Sequence, residues 1–185
     1  MSPFYTATGD DGTTGILGDQ RLSKAHLRIE LLGTLDEASA ALGLARAQTQ
    51  DDQVAGLVLE IQRDLYRIMA EVAATPENQV RFQFAGQERL VWLEARIEQL
   101  TGSIPVPGGF TVPGDNLSSA AFSLARTIVR RAERRMAELQ DKEELADPNL
   151  LKYLNRLSSL CYMLELQQVN SSGGKSTLAR GHIAP

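Results

Sequence analysis

Apolar side chains recur along this chain at the spacing of an α-helix. From Val54, the set Leu57, Val58, Ile61, Leu65, Ile68 and Val72 marks one face of a repeat of about 3.6 residues. Leu27, Leu31, Leu35, Ala38, Leu42 and Ala45 form a second stripe, and Leu90, Leu93, Ile97 and Leu100 a shorter third. A fourth runs from Leu117 through Ala121, Leu124, Ala125, Ile128, Val129, Ala132 and Met136 to Leu139. The last segment, from Leu150 to Leu166, is apolar nearly all round, so it should be buried on most sides. Asp51 or Asp52 suits an N-cap before the Val54 stripe, and Asp147 followed by Pro148 suits the start of the last helix. The pattern predicts helices over 24–48, 52–74, 86–102, 115–140 and 148–170.

Glycine and proline fall at the edges of these segments. Gly9 to Gly18 is one glycine-rich stretch, and Gly102 to Gly114 brackets the loop that holds Pro105, Pro107 and Pro113. No long stretch alternates with period two, and no Asn-Gly or Asp-Gly turn joins two strand-like runs. The expectation is an all-α, single-domain chain. It is a five-helix bundle with ferritin-like up-down packing over 1–170 and a flexible C-terminal tail over 171–185.

Composition narrows the chemistry. The 185 residues carry 19 Lys+Arg against 23 Asp+Glu, and only 2 His and 1 Cys. One Cys forms no internal disulfide, and three such side chains are too few for a structural zinc site. A net charge of -4 argues against a general nucleic-acid binder. No apolar run is long enough to span a membrane, and the start lacks the basic and apolar regions of a secretory signal. The expected compartment is the cytoplasm.

Four places exceed what a bundle needs. The first is Tyr5–Lys24, dense in Gly and Thr. It reads either as an ordinary N-terminal segment or as a phosphate cradle of backbone N–H groups, hydroxyls and the Lys24 charge. The second is Arg126, Arg130, Glu133 and Arg134. At about 100° per residue, Arg130 and Glu133 lie within about 40° of Arg126, opposite the apolar stripe. They form either a solvated face with helical ion pairs or an anion site of guanidinium forks. The third is the polar strip Asn155, Ser158, Ser159 and Tyr162 on the most apolar helix, which needs partners if buried. The fourth is Phe110, an aromatic among turn formers, which either caps the bundle or serves a site. Gly174-Lys175-Ser176-Thr177 imitates the end of a P-loop. Position 169, where that motif needs Gly, is Val, and no strand precedes it.

Taken in order, these segments resemble the PduO-type ATP:corrinoid (cobalamin) adenosyltransferases. The matching pieces are YTATGDDGTTGILGDQRLSK (5–24), RIELLGTLDEASAALGLARA (28–47), FTVPGDN (110–116), LARTIVRRAERR (124–135) and YLNRLSSL (153–160). The resemblance covers about residues 5–170. It implies a homotrimer with active sites between subunits, and transfer of the 5′-deoxyadenosyl group of ATP to cob(I)alamin with release of triphosphate. It also implies roles for residues. Thr6, Thr8, Gly9, Gly12, Thr13, Thr14 and Lys24 would cradle the phosphates together with Mg²⁺, and no metal ligand is assigned to a particular residue. Arg130, Glu133, Arg134 and Asn155 would complete the ATP site. Asp36 would pair with Arg126 across the interface on the corrinoid side. Phe110 would lie below the corrin ring and displace the lower axial ligand. A reductase and an adenosylcobalamin-dependent enzyme are the implied partners.

Three positions depart from the family's pattern. Ala7 stands for a basic residue, Gly15 for a small hydroxyl residue, and Ser159 for an Asp. They leave open a non-catalytic ATP- or corrinoid-binding protein for delivery or sensing. A helical scaffold whose basic face binds another protein is a third possibility.

Overall fold

A computed structural model describes residues 5, 7–142, 145 and 147–180. It is mostly helical: α1 (Leu27–Gln48), α2 (Asp52–Ala73), the short α3 (Gln79–Phe82), α4 (Gly86–Thr101), α5 (Leu117–Asp141) and α6 (Pro148–Ser171). Local chemistry sets the starts. Asp51 accepts the N–H groups of Gln53 and Val54. Asn116 and Ser119 form a reciprocal capping box. Asp147 caps α6 with Pro148 in its first turn.

The helices pack through the predicted stripes. α5 lies against both α1 and α6, α1 also meets α2, and α6 also meets α4. Leu31, Leu35, Ile61, Leu65, Phe122, Met136, Leu150 and Tyr153 are among the fully buried side chains. A polar cluster sits inside this core. Asp64 of α2, only 1% exposed, accepts from the Tyr153 hydroxyl at 2.9 Å and from Arg89 Nε at 2.7 Å. Arg89 in turn lies over the Trp92 ring at 3.8 Å, and Phe84 meets Tyr153 edge to face. One carboxylate thereby links α2, α4 and α6.

Two features differ from the all-α expectation. The N-terminal loop contains a short antiparallel ribbon, β1 (Thr13–Gly15) and β2 (Arg21–Ser23). Three-residue strands with polar side chains leave no period-two signal. α1 also begins at Leu27, not near 24. Ser23 ends the ribbon, Lys24 N–H bonds to the Gly12 carbonyl, and His26 is the N-cap, accepting the Arg28 N–H on Nδ1. The ribbon is anchored on the end of α2. Leu17 donates to Ala73 O at 2.8 Å and accepts from Thr75 N at 3.0 Å. Gly18 permits this approach. Its φ is +145°, and a Cβ there would stand 2.5 Å from the Thr75 methyl.

Candidate functional site

Two groups of residues carry the candidate chemistry. The first is the N-terminal loop. Asp11 accepts the Thr13 hydroxyl at 2.7 Å and the Thr13 N–H at 2.8 Å, and these bonds lower its pKa. Arg21 donates to Thr13 Oγ1 from Nε and Nη2, and to the Thr8 carbonyl at 2.6 Å. The ribbon pairs Thr13 with Ser23 and Thr14 with Leu22, which places Thr13 and Thr14 beside the chain entering Lys24. The Lys24 ammonium lies over Gly9, 3.2 Å from where a Cβ would stand. Gly9, Gly12, Thr13, Thr14 and Lys24 are therefore gathered on one turn-and-ribbon unit. Thr6 lies outside the described residues. Ala7 takes φ +59°, left-handed backbone that a side-chain-bearing residue rarely adopts. Arg21 and Asp11 organise the loop, yet nothing in their spacing singled them out.

The second group surrounds a cavity of about 580 Å³ between α5, α6, the end of α4 and the 104–114 loop. Its lining includes Arg126, Arg130, Phe110, Ser158, Ser159 and Tyr162. Three of the four polar residues on α6 thus face this cavity. Phe110 is 90% exposed, an unusual state for a large aromatic, and it forms part of the rim. Ile97 and Met163 also line the cavity. Both lie on apolar helical stripes, so sequence reads them as ordinary core.

Beside the cavity, Asn155 Nδ2 donates to Glu133 Oε1 at 2.7 Å, and Arg156 Nη1 donates to Asn155 Oδ1 at 2.7 Å. Arg134 folds back on the Arg130 carbonyl at 3.0 Å. Arg130 and Arg134 are solvent-exposed guanidiniums, whose planar forks suit phosphate oxygens. The only cysteine, Cys161, is fully buried behind the cavity, and burial pushes its thiol up to about 12. It is no nucleophile in the folded state.

Asp36 stands apart. It is exposed on α1 and makes no ion pair with the described residues. Its neighbour Glu37 pairs with Arg131, and the Arg126 guanidinium approaches Glu165 within the chain. None of the described N-terminal loop residues lines the cavity. The two groups are thus separate surfaces of one chain.

The segment expected to hang free reaches the cavity rim. Gly173, with φ +75°, turns the chain off α6. Val112 N–H then bonds to Thr177 O, and Ala179 N–H to Phe110 O, each at 2.8 Å. Asp115 accepts the Thr177 hydroxyl at 2.6 Å and the Thr177 N–H at 3.1 Å. The Phe110 loop is tethered from Phe110 itself to Asp115.

Among the described residues, no helix is long and apolar enough to cross a membrane. No group of three His, Cys, Asp or Glu side chains among them is placed to hold a metal ion.

Comparison with known proteins agrees with this picture. The family described as Cobalamin adenosyltransferase matches residues 4–167. The corrinoid adenosyltransferase PduO of Citrobacter freundii is 39% identical over 162 residues, 87% of this chain and 48% of that protein. The chain therefore spans about half the length of that relative. The corrinoid adenosyltransferase of Bacillus subtilis is 35% identical over 92% of this chain and 88% of its own length. In three dimensions, a variant PduO-type ATP:corrinoid adenosyltransferase from Lactobacillus reuteri, complexed with cobalamin and ATP, superposes with a TM-score of 0.88. It shares 30% identity and covers 96% of this chain and 97% of its own.

Proposed function

Because the chain belongs to the cobalamin adenosyltransferase family, we propose that it is an ATP:cob(I)alamin adenosyltransferase. It moves the 5′-deoxyadenosyl group of ATP onto corrinoid cobalt and releases triphosphate. The observation that carries this reading is the cavity in which Arg126, Arg130 and the exposed Phe110 meet the polar strip of α6.

The chemistry suits the residues present. Cobalt in the cob(I) state attacks C5′ of the ribose. A cobalt–carbon bond forms as the C5′–O bond to the triphosphate breaks. No proton moves, so neither a His nor a Cys is required. The protein holds ATP with C5′ toward the cobalt and stabilises charge on the departing triphosphate. Arg130 and Arg134, with Thr8, Thr13, Thr14 and Lys24, are the groups for that charge. The clasped Asn155–Glu133 pair holds the polar face of α5 in register with α6. Mg²⁺ entering with the nucleotide would neutralise triphosphate charge, and the threonine hydroxyls of this loop are oxygen groups that would help to hold it.

The separation of loop and cavity fits a five-helix bundle that assembles as a homotrimer. The loop of one protomer then covers the cavity of the next, and Asp36, which has no ion-pair partner among the described residues, meets Arg126 there. Phe110 at the rim occupies the space of the lower axial ligand. A reductase would supply the electron, an adenosylcobalamin-dependent enzyme would use the product, and the cytoplasm would be the compartment.

The test is anaerobic spectroscopy. Cob(I)alamin, ATP and Mg²⁺ with the purified protein should give the adenosylcobalamin spectrum. Arg130→Ala should lower turnover at least a hundredfold while leaving the melting temperature unchanged. Near-normal activity in that variant would refute the assignment of Arg130. Tight binding of both ligands with no product would instead make this a delivery or sensing protein of the same fold.

A further inference from the structure

Arg126 lines the cavity and has a carboxylate beside it from its own chain. Its Nε lies 4.0 Å from Glu165 Oε2. Glu165 comes from α6, faces inward and is 5% exposed. The nearest approach is through Nε, not through the two terminal amino groups that a ligand would reach first.

The surroundings are unusual. Arg126 Nε and Glu165 Oε2 are both buried without a hydrogen bond to each other or to other described residues. Cys161, one turn earlier on α6, and Asp115, just before α5, are the other titratable groups acting on this spot. Burial and Asp115 push the Glu165 carboxyl up, while Ser123 and Arg126 pull it down. Fold alone does not require a carboxylate here. A buried charge is costly, and an apolar side chain of similar volume usually serves stability as well or better. What a fixed carboxylate adds is orientation of the neighbouring cation.

We propose that Glu165 is a positioning residue: it holds the Arg126 guanidinium toward the cavity before any ligand or neighbouring protomer arrives. The proposal rests on the reading of this cavity as the corrinoid site. Glu165 acts only through Arg126 and touches no reacting atom. Removing its charge frees Arg126 to adopt other rotamers, and the cavity loses a preorganised donor.

Equilibrium dialysis against cobalamin and against ATP separates the possibilities. Glu165→Gln should weaken cobalamin binding at least fivefold, leave ATP binding within twofold, and not lower the melting temperature. In an Arg126→Gln background, Glu165→Gln should add nothing further to the loss. Unchanged cobalamin binding in Glu165→Gln overturns the proposal. So does an equal loss for both ligands, or an additive loss in the double variant. If Glu165→Gln fails to fold, Glu165→Leu restores an apolar contact and is read by the same criteria. Failure of the unmodified protein to bind cobalamin at all would refute the functional reading instead, so the two failures are distinct.

Discussion

Replacing Asp64 by Ala should be the most damaging single change outside the apolar core. The carboxylate is 1% exposed and serves Tyr153, Arg89 and, at 3.4 Å, Arg67. Its removal strands the Tyr153 hydroxyl, which belongs to a fully buried side chain and whose pKa burial already raises. Arg89 suffers less, because it is 16% exposed and has Glu60 at 3.6 Å. Breaking a buried charged pair costs about 3–5 kcal/mol, and the partial rescue of Arg89 places Asp64→Ala near about 3 kcal/mol. For a chain of this size that corresponds to a melting temperature lower by about 6–12 °C. Tyr153→Phe removes one bond and leaves Asp64 paired with Arg89, so it should cost only about 1 kcal/mol. In the Asp64→Ala background the same change should cost nothing, because the stranded hydroxyl is gone. Urea unfolding followed by circular dichroism, at fixed protein concentration, measures each corner of this cycle. A cost below about 1 kcal/mol for Asp64→Ala would show that the three-helix junction is held by its apolar neighbours alone.

Other outcomes follow from the buried titratable groups. Cys161 should resist thiol reagents at about pH 8 in the native protein and react fully in denaturant, as read by mass spectrometry. Glu71 accepts the Phe84 N–H at 2.7 Å, yet burial holds its carboxyl above 4.5. A carboxyl raised on folding takes up a proton in the folded state. The stability it contributes is therefore complete below its unfolded pKa and lost as pH rises through the folded one. Glu71→Gln keeps the acceptor and removes this loss, so its unfolding free energy should gain on wild type only above about pH 4.5.

The stripes on α2, α5 and α6 were legible because each repeats over several turns, and burial follows them, though Leu117 and Leu124 of the α5 stripe stay exposed. Asn155, Ser158, Ser159 and Tyr162 were legible for the opposite reason, as polar residues on a helix that is otherwise apolar. The ribbon was not. Thr13-Thr14-Gly15 and Arg21-Leu22-Ser23 are too short to alternate, and their pairing depends on Arg21 reaching Thr8 and Thr13. The start of α1 moved for the same reason, since Ser23 and Lys24 are committed to the ribbon. Ile97 and Met163 obey the core periodicity and still face the cavity. Asp36 offers no intrachain clue, because it is exposed and has no ion-pair partner among the described residues. The tether of Thr177 to Asp115 joins residues 62 apart, a distance over which no local pattern speaks.

That tether also orders events during synthesis. Chains emerge from the ribosome N-terminal end first. α1, α2 and α5 can collapse on one another while α6 is still being made. The Phe110 loop then exists with one wall of its cavity and without the hydrogen bonds from 177–179. Its final shape must wait until the ribosome has passed Ala179. A nascent chain thus completes its Gly- and Thr-rich ribbon before it can close its cavity rim, so the two surfaces mature at different times in synthesis.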